Sequence, residues 1–267
     1  MLALAHRPVD QLVAVMRLLR SPDGCPWDRE QTLESLKPFL VEETYEALDA
    51  VDSGDWRQLC GELGDVLLQI VFQSQIASES GDFTFQDVAR GLVRKLIRRH
   101  PHVFGDAVAK TAADVVDTWE KVKKREGSGL LSGVPRHLPG LLKAHRICQK
   151  AARVGFDWPD VLPVLDKVAE EAHEVARARG RKAREHEVGD LLFAVANLAR
   201  HLGVDPEDAL QKANARFISR FGTIEKELAR RGKTPAESTL AEMDALWEKA
   251  KKARPKRSVS KRERRGK

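Results

Sequence analysis

Glu171 and Glu174 stand three residues apart, and so do Glu187 and Asp190 a short way further on. On a helix, residues at that spacing share a face, so each pair presents two carboxylates in one direction. Two such helices joined by a short connection pack antiparallel, which brings four carboxylates together. Clustered negative charges repel one another and resist desolvation. A hard divalent cation removes both costs, and an all-oxygen donor set selects Mg²⁺, with Mn²⁺ as a substitute, over zinc. The N-terminal half repeats the device in Glu43, Glu46, Glu62 and Asp65, a second metal site. A single ExxE usually marks a solvated helix face. Here the second pair of each set leads into an apolar run, Val66–Val71 in one half and Leu191–Val195 in the other, which points to partial burial.

The elements that must hold these acids are helices. Apolar residues recur at a period of about 3.6, and alternating β-type patterns of any length are missing. Helices are predicted at 11–20, from an N-cap at Thr32 through Pro38 to about Val51, at 56–79, at 85–99 with His100-Pro101 as the stop, and at 112–125. After the turn-forming stretch Gly127–Pro135 they resume at 137–152, 161–179, 182–201, 206–231 and 240–253. The fold class is therefore all-α, helical bundle modules in tandem duplication.

The duplication is legible in the residues. Trp27-Asp28 answers Asp157-Trp158, Glu42–Glu46 answers Glu170–Glu174, Gly61–Leu68 answers Glu187–Phe193, and Trp119–Lys123 answers Trp247–Lys251. The blocks keep one order, the last three at offsets of 125 to 128 residues. The expected organisation is an N-terminal module over 1–126, a linker over 127–136, a C-terminal module over 137–253, and a basic tail over 254–267.

Composition excludes several classes. Of 267 residues, 42% are hydrophobic and 32% charged, and no stretch approaches the roughly 18 apolar residues of a membrane span. Cys25, Cys60 and Cys148 are odd in number and lack CxxC spacing, so neither a disulfide framework nor a zinc site is indicated. The segment before Arg7 is too short for a secretory h-region and carries no small-residue cleavage site; a cytoplasmic location is expected. The net charge of +6 is set by the C-terminus. From Lys251 onward there are ten Lys/Arg and one acid, and without them 36 bases face 39 acids. The body is mildly acidic. Such a basic block is usually disordered and solubilising, with weak nucleic-acid contact as its functional alternative.

ExxE, a short connection and then ExxD, together with the strings GCPWD, LVEETYEALDA, GELGDVLLQIVF, RRHPHVF, VGFDW, GDLLFAVANLARHLG and LQKANARF, resemble the MazG-type nucleoside triphosphate pyrophosphohydrolases in their two-module form, from about Leu12 to Lys252. The resemblance implies an all-α bundle working as a homodimer. It also implies hydrolysis of ribo- and deoxyribonucleoside triphosphates, non-standard ones included, to monophosphate and pyrophosphate, a house-cleaning of the nucleotide pool, with the C-terminal module catalytic. It places Mg²⁺ on Glu171, Glu174, Glu187 and Asp190, and the nucleotide among Lys167, Arg216, Arg220, Trp247 and Lys251, cations suited to a triphosphate. A lysine expected at position 183 is Ala183 here, flanked by Lys182 and Arg184 as substitutes. The first module keeps Lys95, Arg99, Trp119 and Lys123 beside its own acids. The expected mechanism is in-line attack of water on phosphorus as pyrophosphate leaves, with charge neutralised by the metal and the proton taken by Glu170.

Other patterns carry less. His100-Pro-His102 lacks matching ligands and is expected to cap or pack. Glu170-x-x-His173 has the spacing of a di-iron ligand pair, but Tyr45 stands at the matching place in the first half. There is no GxxxxGK[ST] phosphate loop. Two readings stand outside the enzyme: a scaffold whose carboxylates bind metal only for stability, and a nucleic-acid-associated protein acting through its tail. Trp27 and Trp158 belong either to the core or to the wall of a substrate pocket.

Overall fold

The computed structural model describes residues 7–111, 114–115 and 129–252. The helix expected at 112–125, with Trp119 and Lys123, and the basic tail lie outside the described residues. The chain divides into two compact units, Met1–Arg125 and Glu126–Lys267. Among the described residues every regular element is helical.

The N-terminal unit runs α1 (Pro8–Leu19), α2 (Pro26–Glu30), α3 (Lys37–Ser53), α4 (Trp56–Glu79), α5 (Phe85–Arg99) and α6 (Pro101–Phe104). Local chemistry fixes the ends. Asp55 Oδ1 accepts from the backbone N–H groups of Arg57 and Gln58 at the start of α4. Thr84 and Asp87 form a reciprocal capping box on α5. One expectation is corrected. Thr32 caps only a turn, its Oγ1 accepting from Ser35 N, and α3 begins at Lys37 with Pro38 in its first turn. Proline lacks an N–H and restrains the residue before it, so it opens a helix better than it continues one. The stop at His100-Pro101 holds, since α5 ends at Arg99, and Pro101 then opens the single turn of α6. The core of this unit is Met16, Leu36, Val71 and Phe72, with Leu12, Phe39, Leu67 and Leu68 packed on it.

The C-terminal unit runs α7 (Gly140–Ala152), α8 (Leu162–Arg177), α9 (Arg181–His201), α10 (Pro206–Arg230), a 3₁₀ turn at Pro235–Glu237, and α11 (Leu240–Lys252). Helix α9 packs on α8 and α7, and α10 packs on α11. Buried Ala194 and Ala196 on α9 present no bulk to the helices packed on it, and Val164, Ala144 and Cys148 are buried from α8 and α7. Ile224, Leu228 and Leu246 form a second cluster between α10 and α11. The stretch expected as a linker lies against this unit, since Lys150 Nζ donates to Leu130 O at 3.1 Å.

Each unit contains one hairpin that matters for the site: α3–α4 and α8–α9. The turn of the first uses Gly54 at φ 71° as the C-cap of α3. The second turns through Gly180 at φ 83°, ψ 160°, a conformation essentially confined to glycine.

Candidate functional site

In the C-terminal unit, one oxygen from each of Glu171, Glu174 and Glu187 lies within 4.8 Å of the others. Glu171 is only 5% exposed. Lys167, one turn earlier, donates to it at 2.7 Å and to Glu170 at 2.9 Å, and those two carboxylates raise the lysine's pKa. The other oxygen of Glu171, Oε2, is buried and has no hydrogen-bond partner. Such an atom is costly unless something charged meets it. Burial, and then the charges of Glu171 and Glu187, raise the pKa of Glu174.

Asp190 is placed differently from expectation. It does not join the trio but pairs with His186 Nδ1 at 2.7 Å and forms a second group with His186 and Glu187. The four acids thus make two overlapping sets that share Glu187. His186 was missed in the sequence although its i, i+4 spacing to Asp190 was there to read. A bond to its own backbone, then Asp190 and Glu187, raise its pKa. His173 belongs to neither group.

The donor set fits a hard divalent cation. Oxygens on one Mg²⁺ stand about 3.0 Å apart on adjacent positions and about 4.2 Å apart on opposite ones, from metal–oxygen distances of about 2.1 Å, so three oxygens within 4.8 Å of one another can close around one ion by modest side-chain rotation. The unpartnered oxygen of Glu171 and the raised pKa of Glu174 show negative charge that Lys167 alone does not balance.

Among the described residues, the remaining expected ones make no contact with the acids: Arg220 and Trp247 meet each other, and the rest stand apart. The Arg220 guanidinium lies 5.7 Å from the Trp247 ring centroid, and Phe217 lies 5.1 Å from the same ring. Trp247 packs on the Leu228 cluster, and Lys251 is paired with Glu248. Arg216 and Lys182 are exposed, and Arg184 Nε donates to Ala178 O at 3.4 Å. Among the described residues no hydrogen bond or ion pair joins this group to the acids of α8 and α9.

In the N-terminal unit Glu43, Glu62 and Asp65 gather within 4.8 Å. The pKa of Glu43 is raised by burial and then by Asp65 and Glu46; that of Glu46 is raised by burial and then by Glu62. Lys95 is exposed. The repeat offset sets Phe39 opposite Lys167 and Phe72 opposite Asn197. Phe72 is 2% exposed, and Trp27 meets Phe39 and Phe72 edge-on at 6.0 and 6.5 Å. Aromatic rings therefore stand here where the second unit has an ammonium and an amide.

A cavity of about 190 Å³ adjoins the second acid set, lined by Lys167, Glu171, Asp190, Trp158, Phe193 and Asn197.

Residues 31–104 and 161–224 match the MazG nucleotide pyrophosphohydrolase domain, and these two segments contain both acid sets. The chain belongs to the MazG family. As a member it is a hydrolase of nucleotide phosphoanhydrides. It is 45% identical over 255 residues to an Escherichia coli K12 protein described as a nucleoside triphosphate pyrophosphohydrolase, covering 91% of this chain and 97% of the relative. It is 46% identical over 242 residues to a Thermotoga maritima protein described as nucleoside triphosphate pyrophosphohydrolase/pyrophosphatase MazG, covering 91% and 95%. A Mycobacterium tuberculosis relative, also described as a nucleoside triphosphate pyrophosphohydrolase, is 35% identical over 232 residues, covering 84% and 61%. Trp247 and Lys251 fall outside the matched segments.

Proposed function

We propose that the C-terminal unit hydrolyses nucleoside triphosphates to monophosphate and pyrophosphate with Mg²⁺ held by Glu171, Glu174, Glu187 and Asp190. The observation that carries this reading is the buried, unpartnered oxygen of Glu171 beside Glu174 and Glu187. When bound, the cation supplies charge neutralisation and an acidified water. The chain's own residues do the rest. Lys167 already holds Glu171 and Glu170, and its ammonium is the charge nearest the acids for a phosphate oxygen. Glu170, 56% exposed at the side chain and bonded to Lys167, takes the proton of the attacking water. Arg216, Arg220, Trp247 and Lys251 complete the nucleotide grip once substrate is present.

The N-terminal acids form a second cation site. Phe39 in place of Lys167 removes the ammonium that would meet a phosphate, which favours a structural or regulatory role for that unit. Substrates of this charge and the free cysteines fit a cytoplasmic enzyme. The exposed apolar side chains Val188 and Leu192 on α9 suit a homodimer. The basic tail is assigned weak contact with polyanions. No helix among the described residues is long and apolar enough to cross a membrane.

The test is pyrophosphate release from a panel of nucleoside triphosphates with Mg²⁺. The wild type is compared with Glu171→Ala/Glu174→Ala and Glu43→Ala/Glu46→Ala. Loss confined to the first double variant supports the assignment. Absence of metal-dependent release by the wild type with every nucleotide overturns it in favour of a metal-stabilised scaffold.

A further inference from the structure

His186 brings a nitrogen to a site otherwise made of carboxylates. Its Nδ1 lies 2.7 Å from Asp190, and one atom from each of His186, Glu187 and Asp190 lies within 4.8 Å of the others. A histidine–aspartate pair at i, i+4 on a helix is by itself an ordinary surface contact of small energy. Two features set this one apart. Glu187 belongs both to this group and to the trio with Glu171 and Glu174, and a carboxylate has two oxygens to give. Asp190 and Glu171 line the same 190 Å³ cavity, and the Oε2 of Glu171 is buried with no hydrogen-bond partner. The mixed group therefore borders a space that already holds an unbalanced, buried carboxylate oxygen.

A nitrogen donor changes which ion such a group holds. Mg²⁺ takes oxygen ligands and gives up its water reluctantly. Imidazole suits first-row transition ions, whose affinity for nitrogen-bearing sites rises from Mn²⁺ through Co²⁺ toward Cu²⁺. The neutral ring binds through Nδ1 with its hydrogen on Nε2. The His186 side chain is 72% exposed, so Nε2 keeps its water and an ion has a path in. Adjacent donors on such an ion stand about 3.0 Å apart, from metal–ligand distances of about 2.1 Å, close to the 2.7 Å between Nδ1 and the Asp190 carboxylate. The N-terminal unit supplies the contrast. The repeat offset places Gly61 where His186 stands, and the group there, Glu43, Glu62 and Asp65, offers oxygen alone.

We infer that His186 is a metal ligand, and that with Glu187 and Asp190 it forms a second cation site in the C-terminal unit, selective for a divalent transition ion over Mg²⁺. The inference rests on the reading of these acids as cation ligands and adds an ion of a different class. Asp190, drawn toward His186, serves the transition ion, and Mg²⁺ stays on Glu171 and Glu174. Glu187 serves both. Loss of the imidazole weakens the second site by about tenfold or more, the cost of disturbing even the surroundings of a metal ligand, and leaves the oxygen-only site nearly unchanged.

The experiment uses the full chain with Glu43→Ala/Glu46→Ala, which silences the N-terminal acids, with and without His186→Gln. Mn²⁺ is the probe, at one equivalent, with Mg²⁺ in excess to fill the oxygen-only site and no nucleotide present. Pulsed EPR reads whether a nitrogen is bonded to the Mn²⁺, and the signal of free Mn²⁺ gives its affinity. With His186 in place, Mn²⁺ is expected to bind and to show nitrogen coupling. His186→Gln is expected to abolish the coupling and weaken Mn²⁺ about tenfold, while Mg²⁺ affinity, measured by calorimetry, changes less than about twofold. Mn²⁺ that stays free, that binds without nitrogen coupling, or that keeps its coupling in His186→Gln overturns the inference. Pyrophosphate release is followed on the same preparations. Release without nitrogen coupling keeps the hydrolase and discards the second site, and coupling in a protein that releases nothing keeps the site and discards the hydrolase.

Discussion

Replacing Glu171 by glutamine separates a metal ligand from a structural carboxylate. The side chain is buried, one oxygen bonded to Lys167 and the other without a partner. Glutamine keeps an acceptor for Lys167, which also retains Glu170. What disappears is one negative charge within 4.8 Å of Glu187. Coulomb's law at that distance gives about 0.9 kcal/mol of repulsion at the dielectric of water and about 3.5 kcal/mol at an effective value of 20. That gain is offset by the attraction lost to the Lys167 ammonium at 2.7 Å, so the metal-free variant should melt close to the wild type. With Mg²⁺ the two separate. At one hundred times the dissociation constant a bound ion stabilises by about 2.7 kcal/mol, which for a unit of this size raises Tm by about 8–10 °C. A tenfold weaker site at the same Mg²⁺ retains about half of that shift. The assay is calorimetry of the full chain with and without Mg²⁺. The N-terminal acids contribute equally to both proteins and cancel in the difference. A Glu171→Gln variant with an undiminished Mg²⁺ shift would refute the placement of the ion.

Two further outcomes follow from the same geometry. Glu174, Glu43 and Glu46 have raised pKa values, caused first by burial and then by neighbouring acids. Their folded values lie above the unfolded ones, so their ionisation weakens the metal-free protein as pH rises through that window. Mg²⁺ needs the ionised forms, so its Tm increment should be full near neutral pH and vanish as pH falls toward the ordinary glutamate value of 4.5; an increment constant down to that pH would contradict the assignment. Gly180→Ala places a Cβ at φ 83° with no atom within 4 Å of it, so its cost is backbone strain of roughly 1–3 kcal/mol. Because this turn sets α8 against α9, Mg²⁺ affinity should drop with stability. Gly91→Ala, helical and equally open, should instead gain up to about 1 kcal/mol, and equal behaviour of the two variants would show that the Gly180 turn carries no strain.

The helices were legible where local chemistry marks their ends. The predicted spans 56–79 and 85–99 agree with α4 and α5, whose starts the Asp55 cap and the Thr84–Asp87 box fix. The start of α3 was misplaced because Thr32 has the right type for a cap but Pro38 overrides it six residues later. The acid pairs were legible because i, i+3 spacing is a local property. Their division into two groups around Glu187 was not, since it depends on His186 drawing Asp190 aside. The cavity beside the acids was least legible. Trp158, Phe193 and Asn197 become neighbours only when the start of the C-terminal unit folds against α9, and nothing in their spacing announces a wall.

The two halves also show how one duplicated hairpin can diverge without losing its fold. The acids, which are local, persist in both. The differences fall at positions whose meaning is tertiary: Phe39 against Lys167, and Phe72 against Asn197. An aromatic ring at the first position leaves the N-terminal acids without the ammonium that ties Glu171 in the other unit, and burial and neighbouring acids raise the pKa values of Glu43 and Glu46. A ring at the second joins the Met16 core, where the other unit keeps a buried amide held by Arg200. Burying Phe72 contributes apolar area worth about 2–3 kcal/mol, whereas burying Asn197 costs free energy unless its hydrogen bonds are met. The second unit carries that cost beside an open cavity, and the first has exchanged it for packing. On the proposed reading, such a trade separates a module that binds substrate from one that supports it.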